Sequence, residues 1–341
     1  MIRFNASKKI LALLAALPAL LLGCQKSSDD KSVASAAAIP TPIPTVKAES
    51  VVHIGFQKIG APFLLKSRSD DLDKRLLQQS AKADWKEFKH GPALLEGIKA
   101  KEVDVGYVGE TPPVFAQSGG VDFVYVASDP PAPKAEAIIV RKDSPIKDLA
   151  GLRSKKIAVN RGSNVHYLLL KALESVKLTF KDVEVVYLAP GDARPAFDSG
   201  KVDAWVIWDP FLAAADLAGA RTLASGDGLV ANRLFYVARR EFAEKHPELL
   251  RITLEEFNNL SSWESKNPEE ASKILAAASG VSYEALLLAE KRHAYGIVPV
   301  NDDVLAAQQA IADAFRKLEL IPKDIKTRDA FLPAAVYAGT P

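Results

Sequence analysis

The chain has 341 residues, 48% of them hydrophobic and 25% charged, enough to bury a substantial core in two lobes or domains. Its net charge is +2, and with Arg3, Lys8 and Lys9 of the first 23 residues set aside the remainder sits at −1, which excludes a nucleic-acid face built on basic surplus. A single cysteine, Cys24, excludes an intrachain disulfide and a cysteine metal cluster, and the five histidines show no HxH or HExxH spacing.

In chain order, a basic start precedes an apolar run over residues 10–22 that Pro18 interrupts. It is too short to span a bilayer comfortably and suits the core of a signal peptide covering residues 1–23. The run ends Leu21-Leu22-Gly23-Cys24, which resembles the lipobox of bacterial lipoproteins, where the cysteine is lipidated and becomes the mature N-terminus. Residues 24–50 are rich in Ser, Ala, Lys, Asp, Thr and Pro without periodicity and read as a disordered tether, with an end-to-end distance of roughly 25–30 Å.

The body opens with a strand over residues 51–56 and a helix beginning near Phe63. A short strand at residues 85–88, a helix opened by Gly91-Pro92, and a third strand over residues 103–109 follow. That strand leads into Glu110-Thr111-Pro112-Pro113, where Thr111 can cap a helix with Pro112 at its first position. Further strands fall at residues 121–127 and 137–140, separated by a loop with three prolines. Ninety-nine residues after Val103-Asp104, the segment Val202-Asp203-Ala204-Trp205-Val206-Ile207-Trp208-Asp209-Pro210-Phe211 repeats the plan, with Asp209 placed to cap the helix that Pro210 begins. Beyond a strand at residues 235–237, amphipathic runs over 247–265, 268–278, 283–291 and 302–318 would close back over the first lobe. The alternation of strands and helices argues for α/β sheets, and two lobes on one plan would face each other across a ligand-binding cleft.

Between these halves lies Lys156-Ile157-Ala158-Val159-Asn160-Arg161-Gly162-Ser163-Asn164-Val165-His166. Ile157 to Val159 read as a buried strand, and from Val165 the apolar residues recur at helical steps. Gly162 permits a sharply turned backbone, and Ser163 or Asn164 can cap the helix. A helix start at the carboxyl end of a strand attracts an anion through its unpaired amides and dipole. By itself the stretch is equally an ordinary connection capped by a serine.

Several segments together resemble the periplasmic-binding-protein type II family, specifically the aliphatic sulfonate-binding proteins of bacterial ABC importers. They are Phe56-Gln57-Lys58, Gly109-Glu110-Thr111-Pro112-Pro113-Val114-Phe115-Ala116-Gln117, Pro130-Pro131-Ala132-Pro133, Asn160-Arg161-Gly162-Ser163-Asn164-Val165-His166-Tyr167, Ala189-Pro190-Gly191-Asp192-Ala193-Arg194 and the Val202 to Phe211 segment. The resemblance implies two lobes, each a mixed, mostly parallel sheet flanked by helices, closing by hinge motion. Lobe 1 would comprise residues 51–137 with 238–341 and lobe 2 residues 138–237, the crossover strands lying near 135–140 and 235–237. It implies an extracytoplasmic, lipid-anchored monomer that delivers sulfonates to a permease and ATPase complex for sulfur acquisition. No cofactor is expected. Taurine, nitrate or a thiamine-precursor ligand are the alternatives within the family.

A sulfonate spreads one negative charge over three oxygens, so neutral donors at helix starts suit it better than a lysine. Ser163, Asn164 and Thr111, with the amides of their turns, are the expected donors from opposing lobes, and Gln57 and Asn160 the second choices. Trp205, Trp208 and Tyr107 are candidates for an apolar wall, although Trp205 and Trp208 point to opposite faces of one strand, which favours Trp208. Asp209 reads first as a helix cap. Glu110, beside Pro112, and Glu136 would repel a dianion or pair with a ligand amine. His166 in the first helical turn reads as packing or bonding locally. Absence of GxSxG, P-loop, GxGxxG, HExxH and CxxC patterns argues against an enzyme.

Overall fold

In a computed structural model, which describes residues 50–68 and 70–333, the strands form two five-stranded sheets. The proposed leader, Cys24 and the tether as far as residue 49 lie outside the described residues, while Ser50, assigned to the tether, opens a strand. In chain order the strands are β1 Ser50–Phe56, β2 Ala81–Glu87, β3 Val105–Gly109, β4 Phe123–Ser128, β5 Glu136–Val140, β6 Lys156–Val159, β7 Glu184–Tyr187, β8 Ala204–Trp208, β9 Arg221–Ser225 and β10 Leu234–Arg239. The first sheet has the order β2-β1-β3-β10-β4 and the second β7-β6-β8-β5-β9. β1 pairs in parallel with β2 and β3, while β10 runs antiparallel between β3 and β4. The second sheet repeats this, with β6 parallel to β7 and β8 and β5 antiparallel between β8 and β9. Four strands of each sheet therefore share one direction, the mixed and mostly parallel arrangement expected.

Burial follows position in the sheet. The strands β3, β4 and β5 are buried along their whole length, and β5 reads Glu-Ala-Ile-Ile-Val, an almost unbroken apolar run. The edge strand β2 alternates Lys82, Asp84 and Lys86 with less polar residues, which discourages pairing with another chain. β7 and β9, both edge strands with mixed composition, gave no clear periodic signal in the sequence.

The crossings differ from expectation. β10 pairs along its length inside the first sheet and β5 inside the second, so residues 234–237 belong to lobe 1 and residues 136–137 to lobe 2. The physical reason is that each returning strand is inserted next to the edge strand of its sheet and hydrogen-bonds on both sides. The chain thus passes between lobes in the segments 129–135 and 226–233, where Ala132 N–H donates to Ala231 O at 3.1 Å.

One expected early helix is two, Gly60–Ser67 and Asp70–Gln78. The C-terminal runs are the helices Pro247–Lys266, Pro268–Ser279, Tyr283–Glu290 and Asp302–Lys317. The first packs Leu250 and Phe257 with Val52, Ile54 and Tyr236, and the last packs Ile311 and Phe315 against Val114. Lobe 1 is thereby sealed by the end of the chain.

Candidate functional site

The carboxyl ends of β1, β3, β6 and β8 converge on a cavity of about 860 Å³ between the lobes, open solvent included. Lobe 1 lines it with Gln57 to Gly60, Tyr107, Gly109 and Pro112, and lobe 2 with Ser163, Asn164, Trp208, Asp209 and Pro210. Ala135 and Asn232 come from the two crossing segments. Leu275, Leu286, Ala289, Glu290 and His293, from the C-terminal helices, complete the wall.

The helix Asn164–Ser175 starts at this cavity. Gly162 has φ +71°, so the turn uses the left-handed backbone that glycine adopts freely. Ser163 holds the N-cap position without capping by its side chain; its Oγ donates to Asn160 O at 2.7 Å. Behind it, His166 N–H donates to Ser163 O at 3.0 Å, and Gly162 N–H donates to His166 Nδ1 at 3.3 Å. That bond requires His166 neutral at Nδ1, and burial holds its pKa down to about 4, with Arg161 adding to the effect. His166 sits among Phe115, Phe180, Tyr187 and Phe315, outside the cavity wall. The backbone N–H groups of Asn164 and Val165 meet no acceptor among the described residues. First-turn amides point out of the helix end, which lies at the cavity lined by Ser163 and Asn164, while the Val165 residue itself is buried and off that lining.

Thr111, the candidate donor of lobe 1, is placed differently from Asn164. The helix Thr111–Ser118 opens with Pro112 and Pro113, which carry no N–H, and the first amide, Thr111 N–H, donates to Asn164 Oδ1 at 3.4 Å. Thr111 itself is fully buried and off the cavity wall, whereas Pro112 is on it. Glu110 is likewise buried, with Oε2 accepting from Arg233 N–H at 2.9 Å; loss of water pushes its pKa up to about 7. Glu136 is pushed well above the usual carboxylate range by burial and by Glu110. Neither is among the residues lining the cavity.

Of the remaining candidates, Gln57 lines the wall but its Nε2 donates to Tyr107 O at 2.9 Å, and Asn160 lies off the wall. Trp208 is half-buried on the wall, its ring 6.3 Å from that of Phe211. Trp205 is 1% exposed and packs 5.8 Å from Phe197, because three residues along a strand turn the side chain to the opposite face. The helix Phe211–Leu217 has Pro210 at its N-cap, one residue later than expected, and Asp209 before it accepts through Oδ1 from Ala213 N–H at 2.9 Å and pairs with Arg292 at 3.4 Å. Its carboxyl is raised to about 7 by burial, against the opposing pull of Arg292. Arg194 pairs with Asp198 at 2.7 Å, away from the cavity.

Asn232, Glu290 and His293 are wall residues that the sequence reading passed over. Asn232 lies in an aperiodic loop, Glu290 ends the helix Tyr283–Glu290 and His293 follows it, and the cleft-facing end of that helix cannot be read from its amphipathic pattern. Burial holds His293 down to about 4 and Glu290 up to about 7, so an uncharged His293 stands beside an acid. Among the described residues, no group of three His, Cys, Asp or Glu could hold a metal ion, and no helix is long and apolar enough to cross a membrane.

Two lobes of like topology around an interlobe cleft, with open amides at one end and an apolar wall beside them, define a solute-binding protein of the two-lobed α/β type. The family model described as NMT1/THI5 like matches residues 92–271. An aliphatic sulfonates-binding protein of Escherichia coli K12 is 40% identical over 288 residues, 83% of this chain and 90% of that one. The structure of the alkanesulfonate-binding protein SsuA from Xanthomonas axonopodis pv. citri, bound to MOPS, matches with a TM-score of 0.79 at 35% identity, covering 83% of this chain and 98% of that one. The fold alone is also shared with the desulfurization enzyme DszB, at 17% identity and a TM-score of 0.62, over 84% of this chain and 97% of that one. The chain belongs to the NMT1/THI5-like family, in its group of aliphatic sulfonate-binding proteins.

Proposed function

We propose that the protein captures an aliphatic sulfonate in the interlobe cleft and passes it, unaltered, to an ABC import permease for sulfur acquisition. The observation that carries this is the pair of open amides at Asn164 and Val165 beside a wall containing Trp208, Leu275 and Leu286. The amides hold the sulfonate oxygens and the wall shelters the alkyl tail. Hydrogen bonds to a charged group are worth about 1.5–3 kcal/mol each, and micromolar affinity needs about 8 kcal/mol, so two amides require tail burial as well. Each buried methylene adds about 0.8 kcal/mol, close to a fourfold gain per carbon until the wall is filled. Lipidation at Cys24 would keep a monomeric receptor at the outer face of a membrane, and the MOPS-bound relative favours an organic sulfonate over a bare inorganic anion. The Ser163 hydroxyl on the wall donates to the Asn160 carbonyl and not to a base, which supports a carrier over a desulfonating enzyme.

A thermal-shift series from ethanesulfonate to octanesulfonate, with sulfate and nitrate alongside, tests the reading. Stabilisation is expected to rise with tail length. Stronger stabilisation by sulfate or nitrate than by every alkanesulfonate rejects it, and release of sulfite from the bound ligand rejects the carrier role. A second reading, an amine-bearing sulfonate such as taurine, is favoured by Glu290, which is 9% exposed and lines the same cavity. Tighter binding of taurine than of ethanesulfonate would select it.

A further inference from the structure

Two glutamates stand near the apolar part of the cleft wall without a cation. Glu290 follows Leu286 and Ala289 on the helix Tyr283–Glu290 and lines the cavity with them. Glu264, 0% exposed, belongs to the helix Pro247–Lys266 and is off the wall. Both Glu264 carboxyl oxygens are buried and meet no donor among the described residues. Burial pushes this carboxyl well above the usual range, and the charges of Glu290 and Asp129 add to the effect. Tyr107, Tyr236 and Tyr295 bring only hydroxyls to it, each kept un-ionised by burial. Two acids that feel each other's charge, with no cation between them, carry at most one negative charge.

The Glu290 side chain is held in place. Tyr295 donates its hydroxyl to Glu290 Oε2 at 2.5 Å, and its ring meets that of His293 edge-on at 4.9 Å. Glu290 Oε1 accepts no hydrogen bond among the described residues, which leaves it for a ligand. The surrounding charges do not compensate it. Burial keeps His293 uncharged, with a pKa of about 4. Arg292 is engaged by Asp209 at 3.4 Å and Asp216 at 2.6 Å, and Lys58, the cation on the wall, pairs with Glu87 at 3.6 Å. Burial raises Glu290 to about 7 against the pull of the Tyr295 bond, and the Asp209 charge adds to the rise.

We propose that Glu290 is the specificity-determining group for the ligand's tail, admitting an alkyl tail as the neutral acid and an ammonium tail as the carboxylate. Arrival of a cationic tail sends the Glu290 proton to solvent, whereas an apolar tail leaves it in place. One wall thereby serves both tail classes, and the proton is the difference between them. This role rests on the cleft being the sulfonate site.

Butanesulfonate and 3-aminopropanesulfonate share one shape, a methyl group in the first standing where the second has an ammonium. An alkylammonium, like that of lysine, stays charged between pH 6 and 8. Calorimetric titration of the full chain at pH 7, in phosphate and again in imidazole, counts the protons released on binding. 3-Aminopropanesulfonate is expected to release about half a proton, because a group with a pKa of about 7 is half protonated there, and butanesulfonate none. From pH 6 to pH 8 the Kd for 3-aminopropanesulfonate is expected to fall about tenfold relative to that for butanesulfonate. Glu290→Gln, which keeps the shape and cannot ionise, is expected to abolish both the release and the pH dependence, an outcome that a merely structural role would not produce. The proposal is overturned if both ligands release the same number of protons, or if the ratio of the two Kd values is flat over that range. Release retained in Glu290→Gln also overturns it and assigns the proton to Asp209. If butanesulfonate binds and 3-aminopropanesulfonate does not, the tail role falls and the sulfonate reading stands; if neither binds, both fall.

Discussion

β1 and β6 occupy the same place in their two sheets, as do β3 and β8, and each of these four strands delivers a helix start to the cleft. The turns after β1 and β6 even share a left-handed glycine, Gly60 at φ +66° and Gly162 at φ +71°. Their chemistry separates at the next residues. Pro62 follows β1, Pro112 and Pro113 follow β3, and Pro210 follows β8, each deleting an amide from its turn. Asn164-Val165-His166 after β6 contains no proline and keeps its amides. One topology offers four helix starts, and proline placement leaves one with its full set of donors.

The largest test of this asymmetry compares the two tryptophans of β8. Trp205→Ala removes a ring from the lobe 2 core and is expected to lower unfolding stability by about 3–5 kcal/mol in urea titrations. Trp208→Ala, at the half-buried wall, is expected to weaken alkanesulfonate binding more than it lowers stability. The reverse ranking would place the wall on the wrong face. Val165→Pro copies the proline pattern of lobe 1 onto lobe 2. It removes one open amide and is expected to raise the sulfonate Kd roughly ten- to hundredfold by titration calorimetry, the equivalent of about 1.5–3 kcal/mol. An unchanged Kd would take that amide out of the site.

A graded effect is expected from pH. Burial raises Glu110, Asp129 and Asp209 to about 7, from ordinary values of 4.5 for the glutamate and 3.8 for the aspartates. These groups hold protons more tightly folded than unfolded, so their contribution is fully present below the unfolded values and is lost as pH rises through about 7. His166 and His293, lowered to about 4 from 6.5, work in the opposite direction, but only below their unfolded value. Above about pH 6.5 the carboxyls act alone, and the melting temperature should fall between pH 6.5 and 8.5. A rise over that interval would contradict the burial that raises these acids. The smallest effect belongs to Pro112→Ala, which returns an amide to the lobe 1 turn. It is expected to shift sulfonate affinity only about twofold, because the neighbouring Thr111 N–H is already bonded to Asn164.

The sequence made the strand–helix alternation readable because buried strands such as β5 and β8 are short apolar runs closed by turn residues. It made the β6 turn readable through Gly162 and the stripe that begins at Val165. The crossing points were displaced because a strand's composition reports its burial, and both β5 and β10 are buried in whichever sheet receives them. Thr111 reads in the sequence as a polar donor, and the structure buries it off the cavity wall with two prolines after it. Asn164 was recognised as polar and well placed, but its partner Asn232 is 68 residues away in an aperiodic loop. No local pattern joins them. Glu290 and His293 reach the cleft only because the C-terminal helices return over lobe 1.

The late arrival of β10 also governs how the molecule is made. Lobe 2 is complete in sequence once β9 has been synthesised, whereas the first sheet must wait for residues 234–239 to enter between β3 and β4. Until then those two strands have unsatisfied facing edges, open to pairing with a neighbouring chain. Lobe 2 should consequently gain amide protection first during refolding, detectable by pulsed hydrogen exchange, with β3 and β4 protected last. For a chain that leaves the ribosome from its N-terminus, the half begun first is the half finished last.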